Sequence, residues 1–358
     1  MTLLERLDLN APIIQAPMAG VSTAGLAAAV SNGGALGSIG VGATDAAGAA
    51  GMIADVRALT ARPFNVNLFV HATPRRDTAV EAEWLNALAP VFRTFGAAPP
   101  ATLTAIYKSF ADDDDMLSML LSTRPRVVSF HFGLPEDGRV RALKAAGCVL
   151  ISCATNLEEA VAARFAGMDA VVAQGYEAGG HRGMFDPDAE DSRLGTFALT
   201  RLLVRDAGLP IIAAGGIMDG HGVRAALDLG AVAAQLGTAF IACPESAADE
   251  AYRAALSSEA GLHTVMTRAI SGRPARCLRN RFTQWGQRTS APAPAYPVAY
   301  DAGKALNVAA KATGETGYGA QWAGQGAPLA RALPAAALVA ALIREMNLGA
   351  ESPRPDVR

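Results

Sequence analysis

The sequence predicts an α/β fold in which eight parallel strands and their connecting helices close into a (β/α)8 TIM barrel that carries a smaller inserted domain. Three observations support this prediction. Short apolar runs alternate with longer segments of helical period, the runs number eight, and many of them end in glycine or a small polar residue. Strands buried on both faces lose the polar alternation of exposed strands, so continuous apolar runs indicate a parallel sheet.

The eight apolar runs are interpreted as the barrel strands, and a helical segment follows each of the first seven. They cover residues 13–18, 35–40, 64–70, 127–133, 149–155, 170–175, 210–216 and 231–241. Eight strands with crossover helices are the elements of a closed barrel. An open doubly wound sheet is the alternative, although no Gly-x-Gly-x-x-Gly motif follows the first run.

The alternation stops after residue 241, so residues 1–241 are predicted to form the barrel. Residues 242–330 hold two of the three tryptophans, and we expect them to form a substrate or lid domain. Residues 331–358 are expected to supply a C-terminal helix that returns to the barrel. A further stretch, residues 76–123, is predicted to add helices. Its four consecutive aspartates at 112–115 would point in different directions on a helix, which indicates a capped, solvated first turn and no metal site.

Composition and charge narrow the class of partner. A net charge of −2 and a pI near 6.2 leave no positive field for nucleic acid or a membrane surface, so the expected ligand is a small molecule. Four cysteines without CxxC spacing and the lack of an apolar leader predict a cytoplasmic protein with reduced thiols. The expected state is a monomer or a homodimer.

Two glycine-containing segments stand at the ends of runs seven and eight. Ala213-Ala-Gly-Gly-Ile217 and Gln235-Leu-Gly-Thr238 can offer free backbone N–H groups and a hydroxyl to a phosphate, at the position where such barrels bind one. Two tight turns without a ligand are the alternative. The candidate phosphate residues are Gly215, Gly216, Gln235, Leu236, Gly237 and Thr238.

Other strand ends could meet a flat heteroaromatic ring such as a flavin. The candidates are the backbone at Pro17, Met18 and Ala19 and the side-chain amides of Asn67 and Gln174. Each amide could instead satisfy a nearby backbone group.

The strongest catalytic candidate is His181, which follows run six in Gln174-Gly-Tyr-Glu-Ala-Gly-Gly-His181. Gly179 and Gly180 permit a loop that holds an imidazole over a ring. Such a histidine can remove an acidic C–H proton or, when charged, neutralise a bound anion; a surface loop histidine is the alternative. His131, at the end of run four, either lines the same pocket or makes a buried hydrogen bond.

These motifs resemble those of the nitronate monooxygenases, formerly grouped with the 2-nitropropane dioxygenases. The resemblance covers nearly the whole chain. The resemblance is carried by Ala16-Pro-Met-Ala-Gly20, Ala27-Ala-Ala-Val-Ser-Asn-Gly-Gly34, Asn65-Val-Asn-Leu-Phe69, Ser129-Phe-His-Phe-Gly133, residues 174–183, Ala214-Gly-Gly-Ile217, residues 235–238 and Trp322-Ala-Gly-Gln-Gly326. It implies non-covalently bound FMN and the use of O2 to oxidise alkyl nitronates, such as propionate 3-nitronate, to a carbonyl compound and nitrite without NAD(P)H.

The resemblance also implies individual roles. His181 would be the catalytic histidine, and FMN would contact Asn67, Gln174, Gly179, Gly216 and residues 235–238. Tyr296, Tyr300 and Lys304 would line the substrate pocket, and their spacing of four places them on one helical face. Packing of the tyrosine pair within a lid helix is the alternative. Trp322 stands where the family often has tyrosine.

Two other functions compete with this one. The same type of barrel holds FMN-dependent reductases that consume NADH, of the enoyl-acyl-carrier-protein reductase or NADH:quinone reductase type. A flavin-binding protein without turnover is the third hypothesis.

Overall fold

The computed structural model describes residues 1–348. Its strands are β1 (Ile13–Gln15), β2 (Gly37–Gly40), β3 (Phe64–Phe69), β4 (Val127–His131), β5 (Val149–Ala154), β6 (Ala170–Gln174), β7 (Gly180–His181), β8 (Ile211–Ala214), β9 (Ala233–Leu236), β10 (Thr264–Thr267) and β11 (Ala275–Leu278). Its α-helices are α1 (Leu3–Arg6), α2 (Ala24–Asn32), α3 (Ala46–Leu59), α4 (Thr78–Thr94), α5 (Asp114–Thr123), α6 (Asp137–Ala145), α7 (Leu157–Phe165), α8 (Thr196–Asp206), α9 (Gly220–Asp228), α10 (Thr238–Ile241), α11 (Glu250–Leu256), α12 (Arg281–Gly286), α13 (Val298–Ala312) and α14 (Ala335–Leu348).

Eight parallel strands form the predicted barrel. The hydrogen-bonded order is β1-β9-β8-β6-β5-β4-β3-β2. A parallel bridge between Ile14 and Leu36 joins the two ends of this sheet and closes it. The (β/α)8 prediction is confirmed, and the open doubly wound alternative is wrong.

Side chains alternate between the two faces of the barrel wall. On β6, Val172 belongs to the apolar cluster that fills the barrel, whereas Val171 belongs to the cluster under the surrounding helices. Leu3 and Leu7 from the first helix and its end complete the inner cluster. Because both faces are buried, the strands read as apolar runs without alternation.

The eighth predicted run is partly wrong. Only its middle forms β9; its last four residues are the short helix α10, in which every side chain is buried. A single buried turn of helix has no exposed face, so its sequence cannot be told from a buried strand.

The region after α10 builds a second layer over the barrel. A three-stranded antiparallel sheet has the order β10-β11-β7. Above it α4 packs against α13, so Trp84, Leu88 and Phe92 share one apolar cluster with Phe282 and Leu306. The extra stretch between β3 and β4 therefore contributes a helix to this layer.

The last described helix lies back on the barrel, where α14 packs against α2 and α9. The part of the predicted C-terminal segment at 349–358 lies outside the described residues. The domain boundaries at 241 and 330 remain a prediction. At the four aspartates, Asp113 caps α5 by accepting a hydrogen bond from the Met116 amide, as predicted for a capped first turn. No helix of residues 1–348 is both long and apolar enough to span a bilayer.

Candidate functional site

One cavity of about 770 Å³ lies where the barrel strands end and the second layer begins. It is lined by nearly all of the residues predicted from the sequence: Pro17, Met18, Ala19, Asn67, His131, Gln174, Gly179, Gly180, His181, Gly215, Gly216, Gln235, Gly237, Thr238, Tyr296, Tyr300 and Lys304. Leu236 is the exception. Its side chain is buried in the cluster under the helices, because on β9 it faces away from its neighbour Gln235. A contact between Leu236 and a ligand could therefore involve only its backbone, and its place in the phosphate segment remains a prediction.

The ends of β8 and β9 present unpaired backbone donors to this cavity. In the described part of the chain the N–H groups of Gly216 and Gly237 have no acceptor. Thr238, as the first residue of α10, has no intrahelical acceptor for its N–H. The Thr238 hydroxyl oxygen accepts from the Gly324 amide at 3.0 Å, so its own hydrogen remains available to donate. This set of donors, without a carboxylate among them, suits a phosphate.

The two predicted amide side chains, Asn67 and Gln174, each make hydrogen bonds to other groups of the protein. The Gln174 Nε2 donates to the His181 carbonyl at 3.0 Å, and its Oε1 accepts from the Gly183 amide at 2.7 Å. The Asn67 Nδ2 donates to the Ser129 hydroxyl at 2.9 Å, and its Oδ1 takes no part in these contacts. Gln174 thus fixes the histidine loop, while Asn67 keeps an acceptor for a ligand.

The backbone of His181 is held from several sides. β7 pairs with β11, so Gly180 lies opposite Arg276 and His181 opposite Ala275. The His131 Nε2 contacts the His181 carbonyl at 3.1 Å. Because a carbonyl can only accept, the His131 Nε2 carries the hydrogen. His131 therefore lines the cavity and makes a buried hydrogen bond, and its role toward a substrate remains a prediction.

Among the described residues, the His181 imidazole has one polar partner. Its Nε2 lies 2.8 Å from the Ser271 hydroxyl, which also lies 3.3 Å from the Arg273 carbonyl. Both contacts are satisfied when Nε2–H donates to the hydroxyl and the hydroxyl donates to the carbonyl. In that arrangement Nδ1 is the basic nitrogen.

Burial, together with the neighbouring His131 and Arg273, holds the pKa of His181 well below its usual value. The pKa of His131 is lowered to about 4, chiefly by burial. Both histidines are therefore neutral near pH 7. A neutral His181 can accept a proton, whereas it does not supply a standing positive charge.

The depressed pKa of His131 predicts a stability change with pH. Unfolded histidine takes up a proton near pH 6.5 and folded His131 only near 4, so the free energy of unfolding should fall as the pH drops through that window. Urea unfolding at pH 7, 6 and 5 measures this. His131→Gln keeps a donor for the His181 carbonyl and removes the titration, so its slope should be shallower by up to about 1.4 kcal/mol per pH unit. An unchanged slope in this variant would contradict the assignment.

Aromatic rings and the Lys304 ammonium form part of the outer wall of the cavity. The His181 ring centroid lies 5.3 Å from that of Tyr296, 6.1 Å from Tyr300 and 5.0 Å from Trp322. The Lys304 ammonium lies 4.9 Å from the centre of the Tyr107 ring and 5.6 Å from that of Tyr300. Within residues 1–348 it makes no salt bridge, so its charge is available to an anion.

The predicted helical face is only partly correct. Tyr300 and Lys304 lie on α13, but Tyr296 precedes that helix. A residue before proline is disfavoured in helical conformation, so with Pro297 next in the chain the helix begins after Tyr296. Tyr296 still reaches the cavity through the chain that leads into α13.

Sequence reasoning missed three residues at the site. Tyr107 comes from the extra stretch between β3 and β4, and Ser271 and Arg273 come from the turn between β10 and β11. None stands in a glycine-rich motif at a strand end. Their position depends on packing of the second layer onto the barrel, for which the local sequence carries no signal.

Comparison with known proteins gives consistent results. A family model described as "Nitronate monooxygenase" matches residues 2–345. A nitronate monooxygenase of Paraburkholderia phytofirmans is 60% identical over 98% of this chain and 96% of its own, and one of Pseudomonas aeruginosa is 54% identical over 95% and 97%. A crystal structure of nitroalkane oxidase from Streptomyces ansochromogenes superposes with a TM-score of 0.89 at 39% identity, covering 97% of this chain and 98% of that one.

Proposed function

Because this chain belongs to the nitronate monooxygenase family and is thus an oxidoreductase, we propose that it oxidises alkyl nitronates with O2 to a carbonyl compound and nitrite, with non-covalently bound FMN and without NAD(P)H. One observation carries the proposal. Within residues 1–348, a single cavity joins backbone N–H groups that have no acceptor to a neutral histidine, an aromatic wall and a lysine that makes no salt bridge.

The residues present fit FMN. The amides of Gly216, Gly237 and Thr238, with the Thr238 hydroxyl, would hold the phosphate. The side-chain Oδ1 of Asn67 and the backbone at 17–19 would face the flavin ring. A volume of about 770 Å³ is within the range of cofactor sites and leaves room for a small substrate. The flavin, when bound, supplies the electron transfer and the reaction with O2.

The protein's own residues select and orient the substrate. A nitronate is an anion, so Lys304 attracts it. His181 stays neutral, and its Nδ1 acts as a base. A neutral nitroalkane requires such a base to remove the proton from its acidic C–H. The rings of Phe132, Tyr300 and Trp322 surround His181 and limit the access of water.

The test is aerobic incubation of the purified protein with propionate 3-nitronate in the absence of NADH. We expect oxygen consumption and nitrite release, and we expect FMN, not FAD, in the supernatant after denaturation. NADH oxidation with an inert nitronate would support the reductase hypothesis instead. Bound flavin without turnover of either substrate would support the non-catalytic hypothesis.

The phosphate site gives a separate prediction. Thr238→Val removes the hydroxyl and should weaken FMN binding by about 1–3 kcal/mol, because a hydrogen bond to a charged group is lost. Thr238→Ser keeps the hydroxyl and should retain the affinity. Fluorescence titration of the apoprotein with FMN measures both constants. Equal affinity in the wild type and in Thr238→Val would show that Thr238 serves only the Gly324 contact.

A further inference from the structure

Three buried polar atoms without partners lie in and near the aromatic wall of the cavity. Among residues 1–348, Tyr296 Oη, His71 Nε2 and Arg273 Nε have no hydrogen-bond partner. The exposed fractions of these residues are only 6%, 3% and 2%. Buried polar atoms in native proteins almost always have a partner, so three orphans in one neighbourhood require an explanation.

The three residues are neighbours. The His71 ring meets the Tyr296 ring edge-on at a centroid distance of 5.1 Å. The Arg273 guanidinium lies 4.2 Å from the centre of the Phe132 ring, which is itself 5.2 Å from that of Tyr296. The Arg273 charge acts on both the Tyr296 hydroxyl and the His71 imidazole.

The orphan atoms are chemically complementary. The His71 Nδ1 lies 3.1 Å from the Ala72 carbonyl, which can only accept, so Nδ1 carries the hydrogen and Nε2 is an acceptor. The Arg273 Nε–H can only donate, and a tyrosine hydroxyl does both. One donor, one acceptor and one group of both kinds have matching hydrogen-bond capacities, which a shared water can connect.

We propose that His71 and Arg273 are positioning residues that hold Tyr296 through a hydrogen-bond chain in which a bridging water accepts from Arg273 Nε–H, bonds the Tyr296 hydroxyl and donates to His71 Nε2. The inference rests on the proposed function only in placing Tyr296 at the substrate. Because this chain engages the Tyr296 hydroxyl, Tyr296 presents its ring to the nitronate. Tyr296 is then a wall of fixed position and not a hydrogen-bond donor to the substrate.

Two substitutions of His71 separate this role from simple packing. His71→Asn keeps a donor near the Ala72 carbonyl and removes the acceptor, whereas His71→Gln places an amide oxygen near the former Nε2. We expect His71→Asn to raise KM for propionate 3-nitronate about tenfold with kcat changed less than about threefold. His71→Gln should restore KM to within about threefold of the wild type. Equal KM values in the wild type and His71→Asn would overturn the positioning role.

A second measurement does not depend on turnover. In urea unfolding of the flavin-loaded protein, His71→Asn should lower the midpoint in the wild-type background and have little effect in the Tyr296→Phe background, because the partner is already absent. Equal shifts in both backgrounds would overturn the chain whatever the substrate is. If the wild type does not oxidise nitronates but this coupling is present, the proposed function fails and the chain stands.

Discussion

His181→Asn should reduce the turnover of a neutral nitroalkane by about 10²–10⁴-fold, the usual contribution of a general base, and should affect a preformed nitronate much less. The reason is the neutral state of the imidazole. Burial and the nearby Arg273 keep the pKa of His181 low, and the Ser271 hydroxyl occupies Nε2, so Nδ1 is free to accept the proton. A preformed nitronate has already lost that proton.

The comparison requires flavin content and the absorbance spectrum of each variant before rates are measured. His221→Asn is a matched control, because His221 is exposed on α9 and lies outside the cavity. If nitronate turnover falls as far as nitroalkane turnover, His181 binds the anion instead of acting as base. Full activity on both substrates in a flavin-loaded variant would remove His181 from the catalytic role.

The barrel could be predicted from sequence because its strands are buried on both faces. Residues such as Val171 and Val172 pack on opposite sides of the wall and are both apolar, which makes each strand visible as a run. The same property prevented the prediction of α10. A fully buried single turn of helix has the same unbroken apolar sequence as a buried strand. β7 has only two residues and is defined by its pairing with β11, which no local pattern encodes.

The residues of the candidate site also fall into two groups, those that the sequence predicts and those that it does not. Gly216 and Thr238 follow β8 and β9 by two residues, and His181 lies on the loop after β6, so barrel topology brings these segments to one end of the barrel. Ser271 and Arg273 reach His181 from the second layer, through contacts between distant parts of the chain. Their identity as partners follows from three-dimensional packing and cannot be derived from residue type or spacing.

The tight contact between the histidine loop and the turn at 322–326 predicts the second large effect. A Cβ on Gly179 would lie 2.4 Å from the Gly324 amide nitrogen and 2.5 Å from the Ala323 carbonyl carbon, and both atoms belong to the backbone. Neither can move without shifting the chain, so Gly179→Ala should displace the loop that carries His181. A displacement of about 1 Å at a reacting group is enough to reduce turnover about 100-fold.

The control for this substitution is Gly51→Ala. Gly51 lies on α3, and a Cβ there meets nothing within 4 Å, so the alanine should leave activity unchanged and stabilise the helix by roughly 0.5–1 kcal/mol. We expect Gly179→Ala to keep the far-UV circular dichroism of the barrel, to bind FMN more weakly and to oxidise propionate 3-nitronate at about 1% of the wild-type kcat/KM or less. Wild-type turnover in Gly179→Ala would mean that the loop can move away from residues 323 and 324 without disturbing His181, and that the close contact does not position the histidine.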